Sequence, residues 1–184
     1  MIIVLVGQCC SGKDSIAREL ISKYSYKRVV SNTTRPMRAG EKNGVDYYFW
    51  DELPFNREVI SLKEYHTAQG TWYYWFNADD IEKAAKSADN YIVIADIDGA
   101  KILAEYGAKI IYIHADLDVR MGRYYNRVSK DKNPDYKEVL RRLIADVKAF
   151  DDFDFKDTVI NQDKPLSIAV NEVNDIIRGY EKWC

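Results

Sequence analysis

The chain opens on a continuous apolar run, Met1 to Val6, with no polar position to mark an outward face. Runs of this kind, rich in Ile and Val, suit strands buried on both faces, as in parallel sheets. Tyr91–Ile97 (YIVIADI) and Lys109–His114 (KIIYIH) repeat the pattern, and Thr158–Ile160 is a shorter version of it. Between these runs the apolar positions take a helical spacing. Ile16, Leu20, Ile21 and Tyr24 fall on one side of a helix. Ala78–Ser87, Gly99–Tyr106, Leu117–Val128, Tyr136–Phe150 and Leu166–Gly179 are further helical segments. Asp79 and Asp80 put negative charge in a first turn, where the helix dipole favours it. Strands alternating with helices predict an α/β domain, a parallel sheet flanked by helices. Residues 31–76 break the alternation. They hold Gly40, Gly44 and Gly70 and short alternating runs such as VDYYF, and they predict a small antiparallel insertion. The charge-rich stretch RVSKDKNPDYK (127–137) reads as an exposed connection between two helices.

Composition narrows the picture. A chain of 184 residues is enough for one domain with a sizeable core. Hydrophobic residues make up 47% and charged residues 30%, an ordinary globular balance. The net charge of −2 argues against a nucleic-acid partner held by a large phosphate-facing surface. Three cysteines, Cys9, Cys10 and Cys184, make no complete disulfide framework, and His66 and His114 show no zinc spacing. The run MIIVLV lacks a basic lead, and no apolar stretch approaches the ~20 residues of a membrane span. The expectation is a cytoplasmic protein with no membrane partner.

Residues 7 to 15, GQCCSGKDS, follow the first apolar run directly and open the first helix. The order strand, GxxxxGK, helix is that of a phosphate-binding loop. Glycines let backbone amides turn inward around oxygens, and the lysine meets the charge of the β- and γ-phosphates. The helix N-terminus attracts the anion further. Gly7, Ser11, Gly12, Lys13, Asp14 and Ser15 are the predicted ATP-binding residues. Asp14 stands where a metal-binding hydroxyl is usual; a carboxylate is also an oxygen ligand for Mg²⁺, so Asp14 is the predicted metal ligand. The positive helix end could lower the thiol pKa of Cys9 and Cys10 and open them to redox control, but the favoured reading is that they are simply small residues filling the loop.

Residues 31 to 49 read SNTTRPMRAGEKNGVDYYF. Arg35 and Arg38, with the hydroxyl of Tyr47, could hold one phosphate through bidentate guanidinium contacts. The run resembles the monophosphate-binding segment of guanylate kinases, S-x-T-T-R-x-x-R-x-G-E-x-x-G-x-D-Y-x-F. DIDGA (96–100), RYYNR (123–127), RRLIAD (141–146) and VINQD (159–163) resemble later segments of the same family.

The resemblance implies a P-loop NTPase fold in one domain, with a core (1–30, 77–119 and 138–184), an insertion binding the nucleoside monophosphate (31–76) and a helical lid (120–137). It implies transfer of the ATP γ-phosphoryl group to GMP with Mg²⁺ as cofactor. By position, Ser31, Arg35, Arg38 and Tyr47 would grip the acceptor phosphate, Glu64 would pair with guanine, Asp98 would support base recognition, and Asp96 would sit near the metal. Lys13, Arg123, Arg127 and Arg142 would be catalytic, the arginines closing over the migrating group. Arg120, Arg123 and Arg127 recur on one side of a helix. The run GTWYYWFN (70–77) departs from the family's Tyr-Gly-Thr/Ser. Tyr73 or Tyr74 matches the tyrosine, and Trp75 either lines the pocket or lies buried in a strand. That departure leaves a deoxynucleotide or related acceptor open. A binding module without catalysis is the third reading, disfavoured by the presence of Lys13.

Overall fold

A computed structural model describes residues 1–38, 40–54, 58–67, 69–129, 136–150, 156–162 and 164–182, without the side chains of 127, 128, 136–139, 142, 145 and 148. In chain order, β1 (Ile2–Val6) leads to α1 (Lys13–Tyr24), β2 (Lys27–Arg28), β3 (Asn32–Thr33), β4 (Tyr48–Phe49), β5 (Val59–Thr67) and β6 (Gly70–Asn77). Then come α2 (Ala78–Lys86), β7 (Tyr91–Ile94), α3 (Ile97–Glu105), β8 (Lys109–His114), α4 (Leu117–Val128), α5 (Tyr136–Phe150), β9 (Asp157–Ile160) and α6 (Leu166–Glu181). The contacts divide the chain into two compact units, residues 1–4 with 26–109 and residues 5–25 with 110–184. The boundary passes through β1.

In the first unit, parallel pairing joins Lys27 to Tyr91 and Arg28 to Ile92, and the Tyr91 amide donates to the Met1 carbonyl at 2.8 Å. The strand order there is β2-β7-β1. Two residues were too few to mark β2 in the sequence. Strand β7 ends at Ile94, three residues short of the expected Ile97. Asp96 is instead the N-cap of α3, its Oδ1 accepting from the Gly99 amide at 2.8 Å, so that helix begins at Ile97.

The insertion forms a second sheet of order β4-β3-β6-β5. Pairings β3/β6 and β5/β6 are antiparallel as expected, whereas β3/β4 is parallel. The hairpin register shifts between Ile60 and Lys63. Before the shift Ile60 faces Phe76; after it Lys63 faces Tyr74, Glu64 faces Tyr73 and Tyr65 faces Trp72. One extra residue on β5 therefore swaps which of its side chains share a face with Tyr74. Ser61, at the bulge, has φ 54°.

In the second unit, β8 and β9 pair in parallel, Ile111 with Asp157 through His114 with Ile160, in the order β1-β8-β9. Ile16, Ala17 and Leu20 of α1 and Ala169, Val170, Val173 and Ile177 of α6 are buried, and the Tyr24 hydroxyl donates to Asn171 at 3.0 Å. Burying such aliphatic side chains contributes about 1.5–3 kcal/mol each. Among the described residues, no helix is long and apolar enough to cross a membrane.

Candidate active site

Close approaches shape the phosphate loop in the second unit. A Cβ on Gly7 would lie 2.5 Å from Ser11 Oγ and 2.6 Å from the Ile113 carbonyl. Gly12 has φ +97°, and a Cβ there would meet Asn161 Nδ2 at 2.2 Å. No side chain fits either position. Ser11 is fully buried. Its amide donates to the Gln8 carbonyl at 3.1 Å, and its own carbonyl accepts from Asn161 Nδ2 at 2.7 Å and Arg123 Nη1 at 3.0 Å. Ser11 thus pins the loop rather than offering its hydroxyl, which is buried and has no hydrogen-bond partner among the described residues.

Lys13 opens α1, half-buried, and makes no hydrogen bond or ion pair with the described residues; Asp14 and Ser15 follow it, both exposed in the first turn. Cys9 and Cys10 are free thiols, their sulfurs 3.8 Å apart.

Arg123 is placed differently from a lid arginine. Nη1 donates to the Ser11 carbonyl and Nη2 to the carbonyls of Asn161 at 2.8 Å and Gln162 at 3.0 Å. Its Nη donors tie the loop to the chain after β9. The side chains of Arg127 and Arg142, and residues 130–135 of the expected lid, lie outside the described residues.

Asp146 was not foreseen. Its Oδ2 accepts from the Cys9 amide at 2.6 Å, and the nearly buried Arg120 lies with Nη1 3.7 Å from the same oxygen. A carboxylate thus sits on an amide of a loop suited to phosphate oxygens. Asp146→Asn is expected to tighten ATP binding about fivefold, by removing roughly 1 kcal/mol of like-charge repulsion. It is also expected to lower the melting temperature, because the Arg120 charge loses its counterion. Calorimetric titration with ATP and thermal unfolding read the two effects separately.

The first unit holds the arginine cluster. Arg35 is buried and forms a fork with Glu41: Nη1 to Oε2 at 3.0 Å and Nη2 to Oε1 at 2.9 Å. Its Nε donates to the Tyr74 hydroxyl at 3.2 Å and Nη1 also to the Pro36 carbonyl at 2.7 Å. The guanidinium lies 5.4 Å from the Tyr47 ring centroid, and the Tyr47 and Tyr74 rings meet edge to face at 5.8 Å. Arg38 is exposed, with its amide donating to Glu41 Oε2 at 2.8 Å. Ser31 is half-buried, and its carbonyl accepts from the Tyr48 amide at 2.9 Å. Glu41 therefore orients the segment between both arginines. It stood in the quoted motif without an assigned role.

Burial works against the Glu41 charge. The Arg35 hydrogen bond, the Arg38 amide and the two guanidinium charges outweigh that and hold its carboxyl below the ordinary glutamate range. A depressed carboxyl contributes stability above its unfolded pKa and loses it as pH falls through the folded value. Stability measured by urea unfolding is expected to drop as pH falls below about 4.5, and Glu41→Gln is expected to flatten that slope.

The structure brings Tyr74, not Tyr73, to Arg35. Glu64 shares its register pair with Tyr73 and points to the opposite face, where His66 Nε2 lies 3.5 Å from its Oε1. Glu64 is thus not brought to the Arg35–Tyr47 cluster. Trp75 is 1% exposed, packed beside Trp50, so it lines no pocket. On the Tyr74 face, Tyr65 stacks edge to face on Tyr74 at 5.4 Å and donates to Asp96 Oδ2 at 3.2 Å. Lys63 donates to Asp98 and lies 3.9 Å from Asp96. The Gly99 amide bonds one oxygen of Asp96 and the Tyr65 hydroxyl the other, so Asp96 joins α3 to the hairpin. Among the described residues no group of three or more His, Cys, Asp or Glu side chains could hold a metal ion.

Residues 1–180 match the guanylate kinase family. The chain belongs to that family. It is 28% identical to a guanylate kinase of Sulfurimonas denitrificans, covering 98% of this chain and 96% of that protein. It is 29% identical to one of Alcanivorax borkumensis, covering 92% and 82%. A guanylate kinase structure from Anaplasma phagocytophilum superposes with a TM-score of 0.64 at 19% identity, covering 97% of this chain and 85% of that one, and it supports the fold. As a guanylate kinase family member the protein is a nucleotide-binding phosphotransferase, which excludes a general P-loop ATPase.

Proposed function

We propose that this member of the guanylate kinase family transfers the γ-phosphoryl group of ATP to GMP, giving ADP and GDP. The observation that carries the proposal is the buried Arg35, held in a fixed plane by Glu41 and Tyr74, in a chain that also keeps the lysine of its phosphate loop. A guanidinium whose orientation is set before substrate arrives suits a phosphate that must be aligned rather than merely attracted.

In this reading Lys13 and the loop amides hold the β- and γ-phosphates of ATP. Arg38, exposed and tethered through its amide, takes the acceptor phosphate together with the hydroxyls of Tyr47 and Tyr74. Four of the five Arg35 donors are committed within the protein, so Arg35 supplies mainly charge and alignment. Arg127 and Arg142 would close over the migrating group.

Asp14 would hold Mg²⁺, since an exposed carboxylate at the start of α1 fits an ion that takes one or two carboxylates plus substrate phosphates. When bound, the ion neutralises charge on the transferring phosphoryl. Little covalent chemistry is asked of the protein; positioning and charge compensation do the work.

Coupled ADP release measured with GMP, dGMP, AMP, CMP and UMP tests the assignment. GMP is expected to give the highest kcat/KM. A higher value with dGMP would move the acceptor to a deoxynucleotide. No turnover with any of the five by a folded protein would favour a binding module.

A further inference from the structure

Two thiols of the phosphate loop are not used by the reaction proposed above. Cys9 and Cys10 are the central residues of a four-residue turn, closed by the Ser11 amide donating to the Gln8 carbonyl at 3.1 Å. Cys10 has φ 63°, a left-handed conformation uncommon for a residue with a side chain. The turn is held from outside at both residues. The Cys9 amide donates to Asp146 Oδ2 at 2.6 Å, and the Cys10 carbonyl accepts from Arg123 Nη1 at 3.4 Å. Both residues are half-buried and neither is in a disulfide. Their sulfurs stand 3.8 Å apart. With the backbone held in this way, bringing both sulfurs onto one bridging atom takes side-chain rotation alone.

We propose that Cys9 and Cys10 together form a two-thiol site for trivalent arsenic compounds, and that its occupation and ATP binding exclude each other. The spacing suits a one-atom bridge. Two bonds of about 2.3 Å, the zinc–thiolate length, meeting at a tetrahedral angle set their sulfurs about 3.8 Å apart. The number of ligands then selects the bridging atom. Zinc asks for at least three protein ligands. Among the described residues no group of three or more His, Cys, Asp or Glu side chains could hold a metal ion. A trivalent arsenic that carries one organic group is satisfied by two sulfurs. Direct oxidation of the pair fits less well. Neighbouring Cα atoms stand about 3.8 Å apart across a trans peptide, closer than the about 4.4–6.8 Å usual for a disulfide. The bridging step is a condensation. In R–As=O the bonds from arsenic to oxygen are replaced by two As–S bonds, and the oxygen leaves as water with both thiol protons. Arsenic stays trivalent and no electron is transferred. Because the second bond closes within one turn, it strengthens binding by about 10²–10⁴ over a single thiol. The bridge puts arsenic and its organic group on the turn whose backbone would cradle phosphate oxygens. The exclusion of ATP rests on the reading of this loop as the ATP site; the arsenic bridge does not.

The test treats the full chain with phenylarsine oxide and reads intact mass, remaining thiols and calorimetric binding of ATP. The expected product carries one phenylarsenic group and has lost two thiols for it. Cys9→Ser and Cys10→Ser are each expected to weaken the apparent affinity at least about 100-fold. Cys184→Ser is expected to stay within about twofold of the parent. The loaded protein is expected to lose ATP binding, to regain it with the dithiol dimercaprol, and not to regain it with mercaptoethanol at the same thiol concentration. ATP at about ten times its Kd is expected to slow uptake about tenfold. The stoichiometry on the parent is read without any variant, so a serine variant that fails to fold leaves the bridge decidable. One thiol lost per arsenic, tight uptake kept in both Cys9→Ser and Cys10→Ser, or unchanged ATP binding by the loaded protein would overturn the inference. If the untreated parent bound no ATP, the functional reading would fall, and the thiol count would still judge the bridge.

Discussion

Lys13→Met should abolish nearly all turnover while leaving the fold intact. The lysine stands at the start of α1, behind a loop whose glycine positions accept no side chain. Its ammonium makes no hydrogen bond or ion pair with the described residues, so folding gains little from it. In the proposed reaction the same ammonium faces charge that grows on the transferring group, where preorganised electrostatics are worth most. A loss of about 10³-fold in kcat is expected, with the melting temperature within a few degrees of the parent. Lys13→Arg is not expected to restore activity, because a planar fork does not replace a compact ammonium among phosphate oxygens. Activity within tenfold of the parent in Lys13→Met would mean that the loop is not where ATP reacts.

Arg35→Met should have the next largest effect, and it should be double. Removing the guanidinium leaves the partly buried Glu41 carboxylate without its fork and the Tyr74 hydroxyl without its donor. Breaking such a pair from one side costs about 3–5 kcal/mol, seen as a lower midpoint in urea. The KM for the acceptor should rise about 100-fold, since alignment of its phosphate is lost. The double variant Arg35→Met, Glu41→Gln separates the two effects. Stability should largely return, because no buried charge is left unpaired. Acceptor binding should not return. Recovery of both together would assign Arg35 a purely structural role.

What the sequence disclosed depended on whether local pattern or tertiary register decided the outcome. An all-apolar β1, followed at once by glycines that tolerate no Cβ and an amphipathic α1, left little choice of local structure. The arginine segment was equally legible as a family motif, though not the way Glu41 locks Arg35 into one plane. Glu64 misled because plain alternation along β5 would put it with Ile60 on the Tyr74 face. A single inserted residue reversed that parity and put Lys63 on that face instead. Asp96 took a role that the sequence did not indicate. A carboxylate at a strand end can bind metal or cap the next helix, and here the Gly99 amide took it. Arg123 carries the charge expected of a catalytic arginine, and four backbone carbonyls accept from it. Asp146 stood in RRLIAD without an assigned role, because its contact is with the distant Cys9 amide.

The central claim is that phosphorus passes from ATP to the phosphate of GMP in this protein. Phosphorus NMR of a mixture of the protein, ATP, GMP and Mg²⁺ follows that transfer directly. The account predicts that the β-phosphate signal of GDP grows in step with ADP, one for one, with no accumulation of inorganic phosphate. ADP accompanied by inorganic phosphate and no GDP, or an unchanged spectrum with the folded protein present, would contradict it.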